Sequence, residues 1–168
     1  TQSARTNIGA KTNSNSYLIK QMNILVSACL LGENCKYNGG NNFCAKIAEL
    51  ARCHKVIPVC PEVMGGLTVP RHPAEICDGV VTAVDGTVVD REFRKGAQKA
   101  LVIGQENMAE LAILQPRSPS CGCRQVYDGT FSKKLIAGKG VFAQLLADNG
   151  IKIVDADEFV LHPEEYLR

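Results

Sequence analysis

"NILVSACLLG" (Asn23–Gly32) is the stretch on which the fold turns. Its first part, "NILVSA" (Asn23–Ala28), is a short apolar run of strand length, and Cys29 follows it directly. A second such run is Val56–Val59, with Cys60 directly behind it. Between the two, "CAKIAELAR" (Cys44–Arg52) sets Ile47, Leu50 and Ala51 at helical spacing. Strand, helix, strand is the repeating unit of a parallel sheet, so the elements to either side are read against that expectation.

Working outward, Val80–Val84 and Thr87–Val89 flank Asp85-Gly86, a two-residue hairpin signal. Arg91–Met108 reads as a long helix with Asp90 as its N-cap. Leu111–Gln115 is a buried strand, and Val126–Phe131 with Asp128-Gly129 is a second hairpin. Val141–Asp148 is a helix closed by Asn149-Gly150, leading to a last strand at Ile151–Val154. The alternation predicts an α/β fold: a mainly parallel sheet with helices on both faces, hence three layers.

The bulk properties narrow the function classes. With 168 residues the chain has the length of one ordinary domain. We expect Thr1–Gln21, polar and without amphipathic period, to be a disordered leader or an expression remnant, and residues 22–168 to form that domain. A net charge of +2, with lysines and arginines scattered through the chain, gives no basic block for nucleic acid. No run approaches the length of a membrane span. Eight cysteines in a chain without the apolar core of an export signal point to thiols in a reducing compartment, the cytoplasm, where metal binding or catalysis is the reason to carry them.

Cys29 and Cys60 each end a strand, and Cys121 lies a few residues beyond Leu111–Gln115, in "LQPRSPSCGC" (Leu114–Cys123). Ligands of parallel α/β sheets bind at the carboxyl ends of the strands, so three cysteines at such ends can converge on one point. The remaining five fit that placement less well. Cys44 and Cys53 would occupy opposite faces of one helix, Cys35 and Cys77 lie in loops without a partner at metal spacing, and Gly122 turns Cys123 away from Cys121. There is no C-x-x-C pair for structural zinc, nor the paired motifs of a zinc deaminase. Iron–sulfur clusters, by contrast, take thiolates scattered in sequence, and a [4Fe–4S] cluster with three ligands keeps one iron open.

Neighbouring residues supply candidate roles. Glu62, two residues beyond Cys60, can move protons for water or substrate, and Ser118 and Ser120 can bind a ligand or hydrogen-bond to sulfur, or cap a turn. Gly39-Gly40 and Gly65-Gly66 offer backbone amides to a phosphate or oxyanion, or form turns. Arg71 is a candidate anion clamp or a surface charge. His54, His72 and His162 are isolated and carry no metal spacing.

Taken together, "SACLLG" (27–32), "YNGG" (37–40), "PVCPE" (58–62), "GGL" with "PR" (65–71) and "RSPSCG" (117–122) resemble the signature of the DUF523 family of thiouracil desulfurases, in the same order and from about Met22 to the last strand. The resemblance implies a compact Rossmann-like domain and a [4Fe–4S] cluster with an open fourth iron, its three ligands falling on Cys29, Cys60 and Cys121. It further implies non-redox hydrolytic desulfuration of a 2- or 4-thiouracil-type compound or 4-thiouridine nucleotide, giving the uracil-type product and sulfide. Asn38 stands where many relatives carry aspartate. Some relatives bear a further C-terminal domain and act on thiolated tRNA; this chain ends soon after Val154, which favours a free base or nucleotide over tRNA. The competing expectations are a non-catalytic nucleotide- or sulfur/metal-binding domain and a structural zinc domain.

Overall fold

In chain order the elements are β1 (Asn23–Ser27), α1 (Ala45–Ala48), β2 (Lys55–Val59), α2 (Pro61–Met64), β3 (Ala74–Cys77), β4 (Val80–Ala83) and α3 (Asp90–Glu106). Then follow β5 (Leu111–Leu114), β6 (Gln125–Tyr127), β7 (Leu135–Ala137), α4 (Val141–Asp148), β8 (Lys152–Asp155) and α5 (Ala156–Leu161). This is a computed structural model that describes residues 20–167, so residues 1–19 of the expected leader lie outside the described residues.

The sheet follows from period-2 burial on both faces. Leu25, Ile57, Val59, Ala112 and Leu114 pack on one side against Ala97, Ala100 and Leu101 of α3 and Phe142 and Leu146 of α4. Ile24, Val26, Leu111, Ile113 and Val154 pack on the other against Ile47 of α1 and Phe159 of α5. The four strands pair in parallel in the order β2-β1-β5-β8, giving the three-layer α/β arrangement that the alternation predicts. Because the chain steps from β1 to β2 on one side and then returns to β5 on the other, the strand order reverses at β1. Such a reversal opens a crevice at the carboxyl ends of the strands.

Several boundaries and pairings differ from expectation. The helix expected over 44–52 is four residues of α1 continued by a 3-10 turn at Glu49–Arg52, with Cys44 and Cys53 flanking it, so neither lies on a helix face. The expected reversal at Asp85-Gly86 is present, with Gly86 N–H on Ala83, Ala83 N–H on Thr87 and Val89 N–H on Val81, and a further hairpin not expected from the sequence, β3–β4, precedes it about Asp78-Gly79 at φ 49° and 78°. The second expected hairpin pairs β6 with β7 across the loop 128–134 rather than turning at Asp128-Gly129. Asp90 is the first residue of α3 and not its cap: its carboxylate accepts from Val81 N–H at 3.0 Å and from Arg94 Nε at 2.8 Å, tying the helix to the hairpin.

A candidate active site at the carboxyl ends of three adjacent strands

Beyond β1 the chain folds into a 3-10 turn, Ala28–Leu31, stopped by Gly32 at φ 95°. That turn holds Cys29 over the end of the sheet. β2 ends at Cys60, and Pro61 at the first helical position starts α2 directly, which puts Glu62 in its first turn. The loop after β5 is folded by the Ser118 hydroxyl, which accepts the N–H groups of Ser120 at 3.1 Å and Cys121 at 3.0 Å. From the other side, α4 donates the N–H of Val141 to Pro119 and those of Phe142 and Ala143 to Ser120. The loop that carries Cys121 is thereby held from both sides.

These three loops wall a cavity of about 610 Å³ lined by Cys29, Cys60, Cys121, Glu62 and Ser118. The structure thus brings together five of the residues read from sequence. Ser120 sits just beneath, with a fully buried hydroxyl that makes no conventional hydrogen bond and bears on the Cys121 sulfur. Three further groups belong to the site and were not read from sequence. Cys35, buried at the cavity wall, accepts the Cys60 thiol at its backbone carbonyl at 3.9 Å, and its thiol lies close enough to Cys29 to bear on that thiol's proton affinity. Asn42 donates its amide to the Cys29 sulfur at 3.8 Å, and the buried Ser27 hydroxyl reaches Cys121 while accepting Gln115 N–H at 3.0 Å. Ser27 and Cys35 flank the first cysteine motif, but only the return of the 33–42 loop over Cys29 reveals the contact.

The remaining candidates take other places. Arg71 is no open anion clamp: its side chain is 7% exposed, and Nη2 donates to Glu62 Oε2 at 2.9 Å and to the Cys35 carbonyl at 2.8 Å. It is a strut behind the site that holds the Glu62 carboxylate and the Cys35 loop together. The glycine amides are already committed: Gly39 to Lys36, Gly40 to the Asn38 side chain, Gly65 to Pro61 and Gly66 to Val63. Gly65 serves packing, since a Cβ there would lie 1.9 Å from the Glu92 carbonyl of α3. Cys123 faces the core, its N–H on Asp155, and His54 is a buried acceptor for Met22 N–H at 3.0 Å.

The thiols differ in proton affinity. The Cys35 hydrogen bond, with that of Asn42, holds Cys29 below the ordinary thiol value despite burial. Donating that bond pushes Cys35 up to about 11, and Cys60, donating to Cys35 and buried, is raised further. Burial pushes Cys121 up to about 12 against the hydroxyls of Ser27 and Ser120. Four soft donors and two neighbouring hydroxyls suit a thiophilic metal centre. Among the described residues, only the exposed His162, Glu164 and Glu165 gather with all ligand atoms within 4.8 Å of one another.

Residues 24–158 match the 2-thiouracil desulfurase family. The chain is 41% identical over 146 residues to the uncharacterized protein YbbK of Bacillus subtilis (strain 168), an alignment that spans 80% of this chain and 96% of that protein. It is similar in structure to the [4Fe-4S]-dependent thiouracil desulfidase TudS (DUF523Vcz), with 35% identity and a TM-score of 0.79, covering 86% of this chain and 99% of that one.

Proposed function

The chain belongs to the 2-thiouracil desulfurase family, and from that premise we propose that it removes the sulfur of a thiolated pyrimidine, 2- or 4-thiouracil or the 4-thiouridine nucleotide, with a [4Fe–4S] cluster held by Cys29, Cys60 and Cys121. The observation that carries this reading is the convergence of three thiols from three separate strand ends on one cavity. The orphaned Ser120 hydroxyl fits the same group, since a buried donor beside a ligand sulfur finds its partner in cluster sulfide. When bound, the cluster supplies an iron without a protein ligand, a Lewis acid for the thiocarbonyl sulfur.

The chain's own residues supply the rest. Net chemistry is C=S plus water giving C=O and hydrogen sulfide, with no change of oxidation state, so the protein has protons to move and no electrons. Glu62, half-buried and oriented by Arg71, is placed to take a proton from the attacking water. The Ser118 oxygen is engaged as an acceptor by the Cys121 loop, which leaves its O–H to donate toward the ring. The substrate class is a small thiopyrimidine, which a cavity of about 610 Å³ holds with its sugar phosphate. Among the described residues no helix is long and apolar enough to cross a membrane.

Anaerobic reconstitution with iron and sulfide, followed by sulfide release from 4-thiouracil and 4-thiouridine 5′-monophosphate, tests the reading. We expect about four irons per chain by the cluster stoichiometry and turnover without added reductant. Zinc in place of iron, or tight binding without sulfide release, would replace it with one of the non-catalytic alternatives.

A further inference from the structure

A second cavity, of about 500 Å³, lies behind the cysteine site, between the loop after α2, the reversal after β4 and α3. The buried Phe93 and Ala83 give it an apolar floor, and the exposed Thr68 and Thr87 stand at its rim. Glu62, His72 and Ala74 line both cavities, whereas Arg71 lines only the second. The Glu62–Arg71 ion pair thus stands in the partition, with the thiols on one side and this cavity on the other.

Arg71 is not fully used by the protein. Its Nη2 donates to Glu62 Oε2 and to the Cys35 carbonyl, and its Nη1 donates to the Thr68 carbonyl at 3.2 Å. Nε is buried, in a side chain only 7% exposed, and among the described residues it finds no acceptor. A buried charged donor without a partner is costly, and in a polar cavity ordered water is what satisfies it. The charges in the lining favour the same neutral occupant. Two carboxylates, Glu62 and Asp85, face one guanidinium and one imidazole, with His72 Nε2 lying 3.7 Å from Asp85 Oδ2. Neither an anion nor a cation is attracted on balance, and the volume holds a file of waters from the exposed rim to Arg71.

Water is also what the reaction needs from a side other than the cysteines. A thiopyrimidine seated against the three thiols fills the first cavity and expels solvent from it, yet the attacking water must still arrive at Glu62. Arg71 engages Oε2 of that carboxylate and leaves Oε1 without a protein partner among the described residues.

We propose that the second cavity is the water entry of the active site: it delivers the hydrolytic water past Arg71 to Glu62 while the substrate occupies the first cavity. This rests on the desulfidase reading above and deepens it. The water oxygen bonds to the ring carbon, the carbon–sulfur bond breaks, and the two water protons leave with sulfur as hydrogen sulfide, so no further reactant is required. Two variants obstruct the route, Ala83→Leu inside the cavity and Thr87→Trp at its exposed rim, the second leaving the core untouched should the first not fold. In single-turnover experiments with cluster-loaded protein and 4-thiouracil, sulfide release slows about tenfold in either variant, part of what positioned proton transfer contributes, while the dissociation constant for uracil stays at the wild-type value. In cluster-free protein, nuclear Overhauser contacts pass from water to the Arg71 Nε–H in the wild type and weaken in Ala83→Leu. Unchanged single-turnover rates in the folded variants, a loss that appears only as weaker uracil binding, or no water contact at Arg71 Nε overturns the proposal. Should the wild type release no sulfide, the desulfidase reading falls by itself, and the water contact in wild type against Ala83→Leu still decides whether this cavity carries water to the Glu62–Arg71 pair.

Discussion

The Cys60 thiol donates to the Cys35 carbonyl at 3.9 Å, and the polar groups of Cys35 and Asn42 beside Cys29 make it the cysteine whose proton is most easily lost. A lowered pKa means more thiolate at a given pH, and the thiolate is the nucleophile. In cluster-free protein at pH 8, iodoacetamide therefore labels Cys29 before Cys60 and Cys121, as peptide mapping by mass spectrometry will read. Replacing Cys35 with alanine removes one of those groups and slows Cys29; an unchanged order would deny the influence of Cys35. A second expectation separates ligands from neighbours: Cys29→Ala, Cys60→Ala and Cys121→Ala each lose iron on reconstitution, while Cys35→Ala keeps it, with iron per chain as the measurement. Placement at strand ends was enough to single out Cys29, Cys60 and Cys121. Cys35 was hidden because its approach depends on the 33–42 loop and on the Arg71 fork that ties its carbonyl to Glu62, contacts between segments 36 residues apart.

The helices that carry the site are set by close backbone packing. α2 lies on α3 where Gly65 and Gly96 meet, and a Cβ at Gly96 would fall 1.7 Å from the Pro61 carbonyl. Gly96→Ala must push α2 outward, and with it Cys60 and Glu62. We expect a loss of about 1–3 kcal/mol in urea unfolding, as in overpacked cores, together with weakened iron retention at temperatures where the variant is still folded. Asp90 makes the neighbouring joint. Its hydrogen bond from Arg94 holds the carboxyl below the usual aspartate value. Its stabilisation is thus complete above the unfolded pKa of about 4 and is lost as pH falls through the lower folded value. Asp90→Asn should cost about 1 kcal/mol at pH 7, with the gap from wild type closing as pH falls through the lowered folded value; a gap independent of pH would deny the ionised contact. Period and length in the sequence sufficed for α3 and α4, which are long and amphipathic. The hairpins were ambiguous because Asp-Gly occurs at 78, 85 and 128, all chemically fit to turn. Both Asp78-Gly79 and Asp85-Gly86 reverse the chain, so that β4 is flanked on either side, Ile76 standing opposite Val81 and Val88 bridging Thr82, while Asp128-Gly129 only opens a longer loop.

At the scale of the molecule, the three cysteines end or follow β1, β2 and β5, which are adjacent strands in the order β2-β1-β5. The helices that pack on the two faces of the sheet leave this rim to the strand-end loops, the start of α2 and residues of β3 and β6. A cluster bound there links three segments whose cysteines are separated by 31 and 61 positions, from 29 to 60 and from 60 to 121. Such a link is present only in the folded state, and a ligand that binds only the folded state stabilises it by mass action. At about a hundredfold excess over the dissociation constant the gain is about 2.7 kcal/mol, which for a chain of this size raises Tm by about 5–10 °C. Differential scanning calorimetry under argon should show that rise on loading and its reversal when air and chelator remove the iron. In Cys121→Ala the rise is abolished while the cluster-free Tm shifts far less, since the Cys121 loop is held independently by Ser118 and α4. Equal Tm with and without iron would mean that the metal sits outside the three loops, and the site would have to be sought elsewhere.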